Sequence, residues 1–481
     1  MHEPTRRNVL KGLAATAGAP MLASCSPGGS AQTEVTASAT TARFSTTAPR
    51  ATRVWGYDGQ APGPGFRVTQ GTRMVRRFVN RLPVPSTIHW HGLRIDNAMD
   101  GVAGLTQPPV PPGQSFTYDF LLRDAGTFWY HPHIDTLEQL ARGLSAPLIV
   151  LETDPPDTDA DLSFLINHWW LDADGQIAND FARNEETPRD PAATSHLTVN
   201  GRAPLVWGTA QNERLRLRLI NGTTGRILDT SAQGLSGWVM ALDGMPLARP
   251  RRFDRVTMAP AQRVDLLVDV TADPGEEAQL RTAGGHVLAA FPVEGVASAS
   301  PRPTPGPLPP NRVARPDLRN ARRATMRMTG GVLGALGRAK IRGGATLSQA
   351  ELVARGLSWT MDGFAGMPDM PFLTVGEGET VMIDIVNATA EPHGMHLHGH
   401  HFHQVGQGGR LGPLRDTILM DGGARMTIAF VADNSGDWMF HCHMLAHQAM
   451  GMMSWIRVGD RRTAMDIGRQ RSGFWEAGDI C

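Results

Sequence analysis

The sequence predicts an all-β protein built from three β-sandwich domains. It has 481 residues, which is too many for one domain and suits three. Glycine (53 residues) and proline (35 residues) are frequent, and the apolar residues fall in short Val, Ile, Leu and Thr runs. This composition is typical of short strands joined by turns. His-x-His pairs recur towards both ends of the chain, which indicates that two of the three domains are related.

The N-terminal segment has the pattern of an export signal rather than of a folded domain. TRRNVLK at 5–11 is similar to a twin-arginine signal and precedes a short, weakly apolar run. The following LASC resembles a lipoprotein processing box, so lipidation of Cys25 and cleavage near Ala31 are the two alternatives. We expect a signal region over 1–24 and a flexible Ser/Thr/Ala/Gly-rich tether over 25–45. The protein would then reach the periplasm or cell envelope, with a lipid anchor if Cys25 is lipidated.

Three domains are expected to follow. The first covers 46–152, ends in the strand-like run APLIVL, and is followed by the turn-rich segment TDPPD. The second covers 160–296, contains the alternating run LRLRL and has no His-x-His pair, so we expect it to be metal-free. A proline-rich linker over 297–319 leads to the third domain over 320–460. A polar tail covers 461–481.

Charge and cysteine content exclude several classes of protein. The 46 basic residues balance 46 acidic residues, which gives no electrostatic basis for binding nucleic acid. No apolar run has the length that spans a membrane. The three cysteines, Cys25, Cys442 and Cys481, lie far apart, and this predicts no disulfide framework. Cys481 has no predicted role.

The segment HCHMLAHQAMGMM near the C-terminus predicts a metal centre. A thiolate and two imidazoles with a weak axial thioether form the ligand set of a blue-copper electron-transfer site. Cys442 would supply the thiolate, His447 one imidazole and Met452 the thioether. Met450 and Met453 are rivals for the axial position.

The second imidazole of this centre must come from another segment, and the best candidate is His393 in EPHGMHLHGH. Zinc is an alternative metal because it also binds Cys/His sets, although structural zinc sites usually contain paired cysteines at short spacing. If the HCH segment is extended, Cys442 points to one face of the strand while His441 and His443 point to the other. One strand would therefore serve two metal centres.

Three further His-x-His pairs predict the second centre. They are His89-Trp90-His91, His131-Pro132-His133 and His396-Leu397-His398. In a strand, each pair places two rings on one face, roughly 6.6 Å apart along the axis. Together with His441 and His443, the pairs offer eight imidazoles, which is enough for a cluster of three metal ions.

These motifs resemble those of the three-domain bacterial multicopper oxidases, the family of laccases and copper-efflux oxidases. The four motifs are HWHG at 89–92, WYHPH at 129–133, HGMHLH at 393–398 and HCHMLAHQAMGM at 441–452. The similarity runs from about residue 46 to about residue 460. It implies three cupredoxin-like Greek-key β-sandwich domains, with a trinuclear copper cluster between the first and the third.

The resemblance also implies which residues bind each of four copper ions. A type 1 copper would be held by His393, Cys442, His447 and Met452. A type 2 copper would be held by His89 and His396. The two type 3 coppers would be held by His91, His131 and His443, and by His133, His398 and His441. We expect the neighbouring His400, His401 and His403 to surround the sites or lie at the surface rather than bind copper.

The implied activity is the oxidation of a small reducing substrate coupled to the four-electron reduction of O₂ to water. Cys442 would pass electrons from the type 1 copper to the cluster. Asp100 follows His91 where the family keeps an acid, so it is predicted to relay protons, although Asp100-Gly101 also fits a simple turn. Gln448 stands where copper-efflux members have a second acid, and it cannot ionise.

The reductant remains open at this point. A laccase-like enzyme oxidises phenols or aromatic amines, whereas a cuprous oxidase of copper tolerance binds Cu(I) through a methionine-rich cover. The chain has 22 methionines but no dense methionine insert, and methionine also fills cores. A copper-free envelope scaffold would lack the histidines found here. A copper nitrite reductase would not need a type 3 pair.

Overall fold

The computed structural model describes most of the chain beyond the N-terminal segment. The described residues are 34–44, 50–178, 181, 193–331, 334 and 336–459. The predicted signal region, Cys25 and the tail with Cys481 lie outside them. No helix among the described residues is long and apolar enough to cross a membrane.

The first β-sandwich consists of two four-stranded sheets, with strand orders β2-β1-β4-β6 and β3-β8-β7-β5. Its strands are β1 (Glu34–Ala42), β2 (Thr52–Tyr57), β3 (Phe66–Thr69), β4 (Arg73–Asn80), β5 (His89–His91), β6 (Ser115–Leu121), β7 (Gly126–His131) and β8 (Ala146–Leu151). A short helix, α1 (Thr136–Ala141), connects β7 to β8. The two sheets enclose one apolar core that includes Phe78, Tyr118 and Phe128.

Strand β1 shows that the predicted tether over 25–45 is wrong for its second half. Residues Glu34–Ala42 pair with β2 in antiparallel and with β4 in parallel orientation. Val35 and Ala37 are fully buried, whereas the alternate residues Glu34, Thr36 and Ser38 are only partly buried. The Ser/Thr/Ala composition suggested a tether, but the alternation of the side chains along EVTASATTA suits a strand.

The middle β-sandwich has one six-stranded sheet of order β10-β9-β13-β18-β15-β16 and a second of order β11-β20-β19-β14-β17, to which β12 adds beside β20. Its strands are β9 (Ala160–Leu171), β10 (Thr194–Val199), β11 (Leu205–Val206), β12 (Thr209–Gln211), β13 (Arg214–Asn221), β14 (Leu228–Gln233), β15 (Leu235–Leu242), β16 (Met245–Phe253), β17 (Arg255–Met258), β18 (Arg263–Val270), β19 (Glu277–Thr282) and β20 (Val287–Val296). The predicted linker that follows contains only a single 3₁₀ turn at Leu318–Asn320.

The third β-sandwich has sheets of order β24-β21-β26-β31-β28-β29 and β25-β33-β32-β27-β30, plus the small hairpin β22-β23. Its strands are β21 (Arg322–Gly330), β22 (Ala339–Lys340), β23 (Thr346–Leu347), β24 (Trp359–Met361), β25 (Leu373–Val375), β26 (Thr380–Asn387), β27 (His393–Leu397), β28 (Phe402–Val405), β29 (Leu411–Arg415), β30 (Thr417–Met420), β31 (Arg425–Val431), β32 (Gly436–Cys442) and β33 (Met453–Val458). Helices α2 (Gln349–Ala354) and α3 (Leu445–Ala449) lie in its connections. The all-β prediction with three β-sandwiches is confirmed.

Strand β13 joins the first two sandwiches through buried charges. All of its residues are buried, although LRLRL alternates between apolar and basic. The leucines enter the middle core, whereas Arg216 contacts Glu152 and Asp265, both at 2.7 Å. Arg218 binds Asp161 at 2.6 Å. The polar face of this strand therefore lies against the first sandwich rather than in water, because Glu152 of the first sandwich and the carboxylates of β9 and β18 in the middle sandwich neutralise the arginines.

Candidate metal centres

Two pairs of adjacent strands present all the predicted histidine pairs. In the first sandwich β5 pairs with β7, so that His89 lies opposite His131. In the third sandwich β27 pairs with β32, so that His396 lies opposite His441 and Met395 opposite Cys442. Only the first pair lies wholly within its strand, because β7, β27 and β32 each end before the second histidine of the pair. The two rings of every pair nevertheless lie together, with centroids 4.8–6.1 Å apart.

One set of ligands forms around Cys442. The Nδ1 atoms of His393 and His447 lie 3.7 and 3.8 Å from the Cys442 Sγ and 3.0 Å from each other. His393 comes from β27 and His447 from α3, the helix that follows the HCH segment. All three residues are buried. We call them the type 1 set, because a thiolate with two imidazoles suits copper electron transfer.

The protein environment keeps the type 1 set uncharged before a metal binds. Burial, together with the charge of His447, lowers the pKa of His393 to about 3. Burial lowers the pKa of His447 to about 4 and raises the pKa of the Cys442 thiol to about 12. Both imidazoles are therefore free to bind metal at neutral pH, whereas the thiol must lose its proton to do so.

The three candidate axial methionines occupy different surroundings. Met452 is buried in the same apolar core as Cys442, and its carbonyl accepts a hydrogen bond from the Cys442 N–H at 3.2 Å. Met450 packs against that core while partly exposed. Met453 belongs to another cluster, with Met439 and Trp455. These positions agree best with Met452, and its axial role stays a prediction.

The eight histidines of the four His-x-His pairs converge between the first and third sandwiches, and we call them the histidine cluster. Its members are His89, His91, His131, His133, His396, His398, His441 and His443, and all of them are buried. One group forms where the His131 Nε2 lies 3.4 Å from both the His91 Nδ1 and the His443 Nε2. A second group contains His133, His398 and His441, with 3.0 Å between the Nε2 atoms of the last two.

A third group brings His89 and His396 together, with His91 beside them. The His89 Nδ1–H donates to the Asp100 carbonyl at 2.8 Å, and the His396 Nδ1–H donates to the Asp416 carbonyl at 3.0 Å. The Nε2 atoms of both rings are buried and have no hydrogen-bond partner. Two unpartnered imidazole nitrogens on oriented rings are what a metal ion requires.

The electrostatics of the histidine cluster also suit metal binding. Burial first, and neighbouring imidazoles second, hold the pKa of six rings well below the usual value, namely His91, His131, His133, His398, His441 and His443. Hydrogen bonds to a backbone carbonyl or to Asp416 oppose this shift in several of them. Neutral imidazoles are the form that binds copper, so the donor set fits copper ions.

Asp100 lies against the histidine cluster, where the resemblance placed it. Its side chain is buried, with one oxygen 2.9 Å from the His398 Nδ1 and the other 3.2 Å from the His89 Nδ1. The turn interpretation also applies, because Gly101 has a φ of +85° and a Cβ there would overlap the Ile88 carbonyl oxygen. The turn thus aims the Asp100 carboxylate at the rings.

Sequence reasoning missed Asp416 and Arg263. Asp416 is fully buried and lies 3.4 Å from the His91 Nε2 and 3.5 Å from the His401 Nε2. Arg263, from the middle sandwich, donates to its carboxylate at 2.8 Å. His400 and His401 are buried beside these sites, and His403 is half-buried. The only available signal for Asp416 was an acid following a His-x-His pair, as Asp100 does.

A small cavity of about 50 Å³ reaches the histidine cluster at His133. Its lining is mainly apolar and includes Leu105, Met439 and Met453. Gln448 also lines it and is almost fully buried. Gln448, which cannot ionise, therefore faces a route to the cluster.

Three β-sandwiches with a Cys/His₂ set joined by one strand to an eight-histidine cluster define a copper-dependent oxidase. Sequence comparison agrees, because models of multicopper oxidase domains match residues 38–155, 160–277 and 345–462. The chain belongs to the multicopper oxidase family, and its domains are cupredoxin-like. It is a laccase-like oxidoreductase that uses copper and O₂.

Relatives span most of the chain. The multicopper oxidase MmcO of Mycobacterium tuberculosis is 30% identical over 82% of this chain and 81% of its own length. The crystal structure of Lac15 from a marine microbial metagenome is 37% identical, with a TM-score of 0.72 over 89% of this chain and 100% of that one. Laccase-1 of Botryotinia fuckeliana is 27% identical over 82% of this chain and 77% of its own length. The copper resistance protein A homolog of Pseudomonas syringae is 27% identical over 83% of this chain and 88% of its own length.

Proposed function

We propose that this protein holds four copper ions, one in the type 1 set with Met452 as axial ligand and three in the histidine cluster. It couples one-electron oxidation of a phenolic or aromatic donor to the four-electron reduction of O₂ to water. The observation that supports this most strongly is the HCH segment at the end of β32. Cys442 belongs to one ligand set, and its two neighbours belong to the other.

The chain supplies a short covalent connection between the two sets. His441 and His443 are bonded through the backbone to Cys442, and each belongs to a different group of the histidine cluster. Copper held by these residues would supply the one-electron redox chemistry needed for donor oxidation and for the reduction of O₂. The protein shields both sets from bulk solvent, because all their ligands are buried, and a small cavity reaches only His133 of the proposed ligands.

Proton delivery rests on Asp100 in this proposal. Its carboxylate contacts both His89 and His398, one from each sandwich, so it would hold and release protons beside two of the rings that would bind copper. Gln448 lines the other approach, beside His133, and cannot replace it. Substituting Gln448→Glu should therefore open a second proton route and weaken the dependence of the O₂-limited rate on Asp100.

The choice of donor favours phenols and aromatic amines over Cu(I). A cuprous oxidase would need several thioethers gathered as a cover over the type 1 set. The methionines that share a core with Cys442, among them Met326, Met361 and Met395, are instead buried within the third sandwich. Met370 is exposed, however, so Cu(I) stays the second candidate. Distant relatives carry both kinds of name. Steady-state rates with a methoxyphenol and with Cu(I), each with and without added Cu(II), decide between the two.

The substitution Cys442→Ser tests the proposed electron route. It removes the only thiolate of the type 1 set and leaves all eight histidines of the histidine cluster in place. We expect loss of the blue colour and of donor oxidation, with about three coppers retained. Met444→Leu, beside the site but outside the ligand set, serves as the control. Appreciable oxidase activity in Cys442→Ser would refute entry of electrons at this site.

Export by a twin-arginine route to the periplasm or cell envelope is part of the proposal. It rests on TRRNVLK at 5–11. Replacing Arg6 and Arg7 by lysine should trap the precursor in the cytoplasm. Cys25→Ser distinguishes the two processing alternatives, because only a lipid-anchored form would shift from the membrane to the soluble fraction.

A further inference from the structure

Asp416 occupies a junction between the histidine cluster and the middle sandwich. It lies between β29 and β30, and its carboxylate is 3.4 Å from the His91 Nε2 and 3.5 Å from the His396 Nδ1. Its backbone carbonyl accepts the His396 Nδ1–H at 3.0 Å. The His91 Nδ1 lies 3.4 Å from the His131 Nε2, and the His91 Nε2 on the other side of the ring faces the carboxylate.

Asp416 and Asp100 are arranged alike in the two related sandwiches. The carbonyl of each acid accepts the Nδ1–H of the first histidine of its own sandwich's pair, His396 or His89. The carboxylate of each reaches a histidine of the opposite sandwich, which is His91 for Asp416 and His398 for Asp100. Each acid therefore orients one ring within its sandwich and one ring across the interface.

Arg263 of the middle sandwich fixes the Asp416 carboxylate. Both of its terminal nitrogens donate to the two oxygens of Asp416, and its Nε donates to the Thr127 carbonyl of the first sandwich at 3.1 Å. The backbone of Gly92, which follows His91, packs directly on this pair. A Cβ there would overlap Nη2 of Arg263 and lie 2.7 Å from Oδ2 of Asp416.

We propose that Asp416 is a positioning residue that orients His91 and His396 for copper, and that Arg263 holds it in place from the middle sandwich. The inference rests on the proposed function of the histidine cluster and goes beyond it. The middle sandwich, which contributes none of the proposed copper ligands, thereby takes part in building the cluster. A carboxylate behind a ligating imidazole fixes the orientation and the proton of the ring, and losing it weakens metal binding.

An ion pair that merely stabilised the fold would not need these neighbours. Asp243, Arg415 and His401 lie around the Asp416–Arg263 pair. Asp416 itself also contacts two rings of the histidine cluster, those of His91 and His396. Another ion pair of the third sandwich, between the buried Asp437 and the partly buried Arg457 at 2.6 Å, provides the comparison.

The test is Asp416→Asn, which preserves the size and backbone of the residue and removes the charge that faces His91. Copper is titrated out of the purified holoprotein with a chelator while total copper per chain and the blue absorption are followed separately. We expect the affinity of the histidine cluster for copper to fall by about 10- to 100-fold, with the blue absorption of the type 1 set unchanged. Asp437→Asn should leave both unchanged.

Equal copper retention in Asp416→Asn and wild type would overturn the inference, and so would an equal loss from both sets accompanied by a lower melting temperature. If Asp416→Asn does not accumulate as folded protein, Arg263→Lys replaces it, since lysine keeps the charge but not the paired contacts. In Arg263→Lys, too, we expect the histidine cluster to lose affinity for copper while the blue absorption of the type 1 set stays unchanged. A wild-type protein without copper in the histidine cluster would instead refute the proposed function itself.

Discussion

Copper uptake by the type 1 set should release one proton per chain from Cys442. Burial raises the pKa of the Cys442 thiol to about 12, so it is protonated at every pH at which the protein is handled. The pKa of His393 is about 3 and that of His447 about 4, so neither imidazole carries a proton that copper must displace at neutral pH. The Cys442 thiol is therefore the single source of the proton that copper binding releases from the type 1 set.

The size of the effect follows from the same values. Between pH 7 and a pKa of about 12 there are about five units, and each unit is worth about 1.4 kcal/mol. Deprotonating the thiol at pH 7 therefore costs about 7 kcal/mol, and this cost weakens the apparent affinity of the type 1 set for copper. As pH rises, this penalty shrinks, so the apparent affinity should increase about tenfold per pH unit between roughly pH 5 and 9.

The assay adds Cu(I) to copper-free protein in weak buffer containing a pH indicator. Cu(I) is used because Cu(II) could oxidise the thiol. The difference in proton release between wild type and Cys442→Ser should be one proton per chain, and it should not change between pH 6 and pH 8. No difference would mean that the thiolate is already formed in the copper-free protein. A difference that grows below pH 7 would mean that His393 or His447 is protonated there.

Three other outcomes are expected. Asp100→Asn should slow the O₂-limited rate by about 10²- to 10⁴-fold and leave reduction of the type 1 set by donor unchanged in stopped-flow measurements; equal slowing of both would contradict a proton role. Gly101→Ala should displace Asp100 and lower copper content, because the added Cβ meets the Ile88 carbonyl oxygen; copper analysis showing full occupancy would contradict this. The copper-free protein should lose stability as pH falls below about 6.5. In the folded protein, the pKa of nine of the ten proposed ligand histidines is lowered. As pH falls, the unfolded chain therefore takes up protons before the folded protein does. Each such histidine lowers the free energy of unfolding by up to about 1.4 kcal/mol per pH unit. Denaturant midpoints that do not change between pH 7 and pH 5 would exclude this.

The ligands could be predicted from the sequence because each motif is local. A His-x-His pair in a strand and a cysteine between two histidines fix the directions of the side chains without knowledge of the fold. The structure brings these motifs together as the resemblance implied, with His89 opposite His131 and His396 opposite His441.

The supporting residues could not be predicted, because their roles depend on contacts between distant segments. Arg263 and Asp416 are 153 positions apart and come from different sandwiches. The burial of the arginines in LRLRL could not be read from the alternation, because it depends on Glu152 of the first sandwich, which receives Arg216. Strand β1 was missed since composition alone ignores the alternation that buries Val35 and Ala37.

The central claim is that the histidine cluster passes four electrons to each O₂. The most direct measurement records donor oxidised, O₂ consumed and peroxide released by the copper-loaded protein in one closed vessel. We expect four one-electron donors oxidised per O₂, with no peroxide at any donor concentration. A ratio of two donors per O₂ with matching peroxide would contradict the account, because it would mean that the eight histidines do not hold a cluster able to complete the reduction.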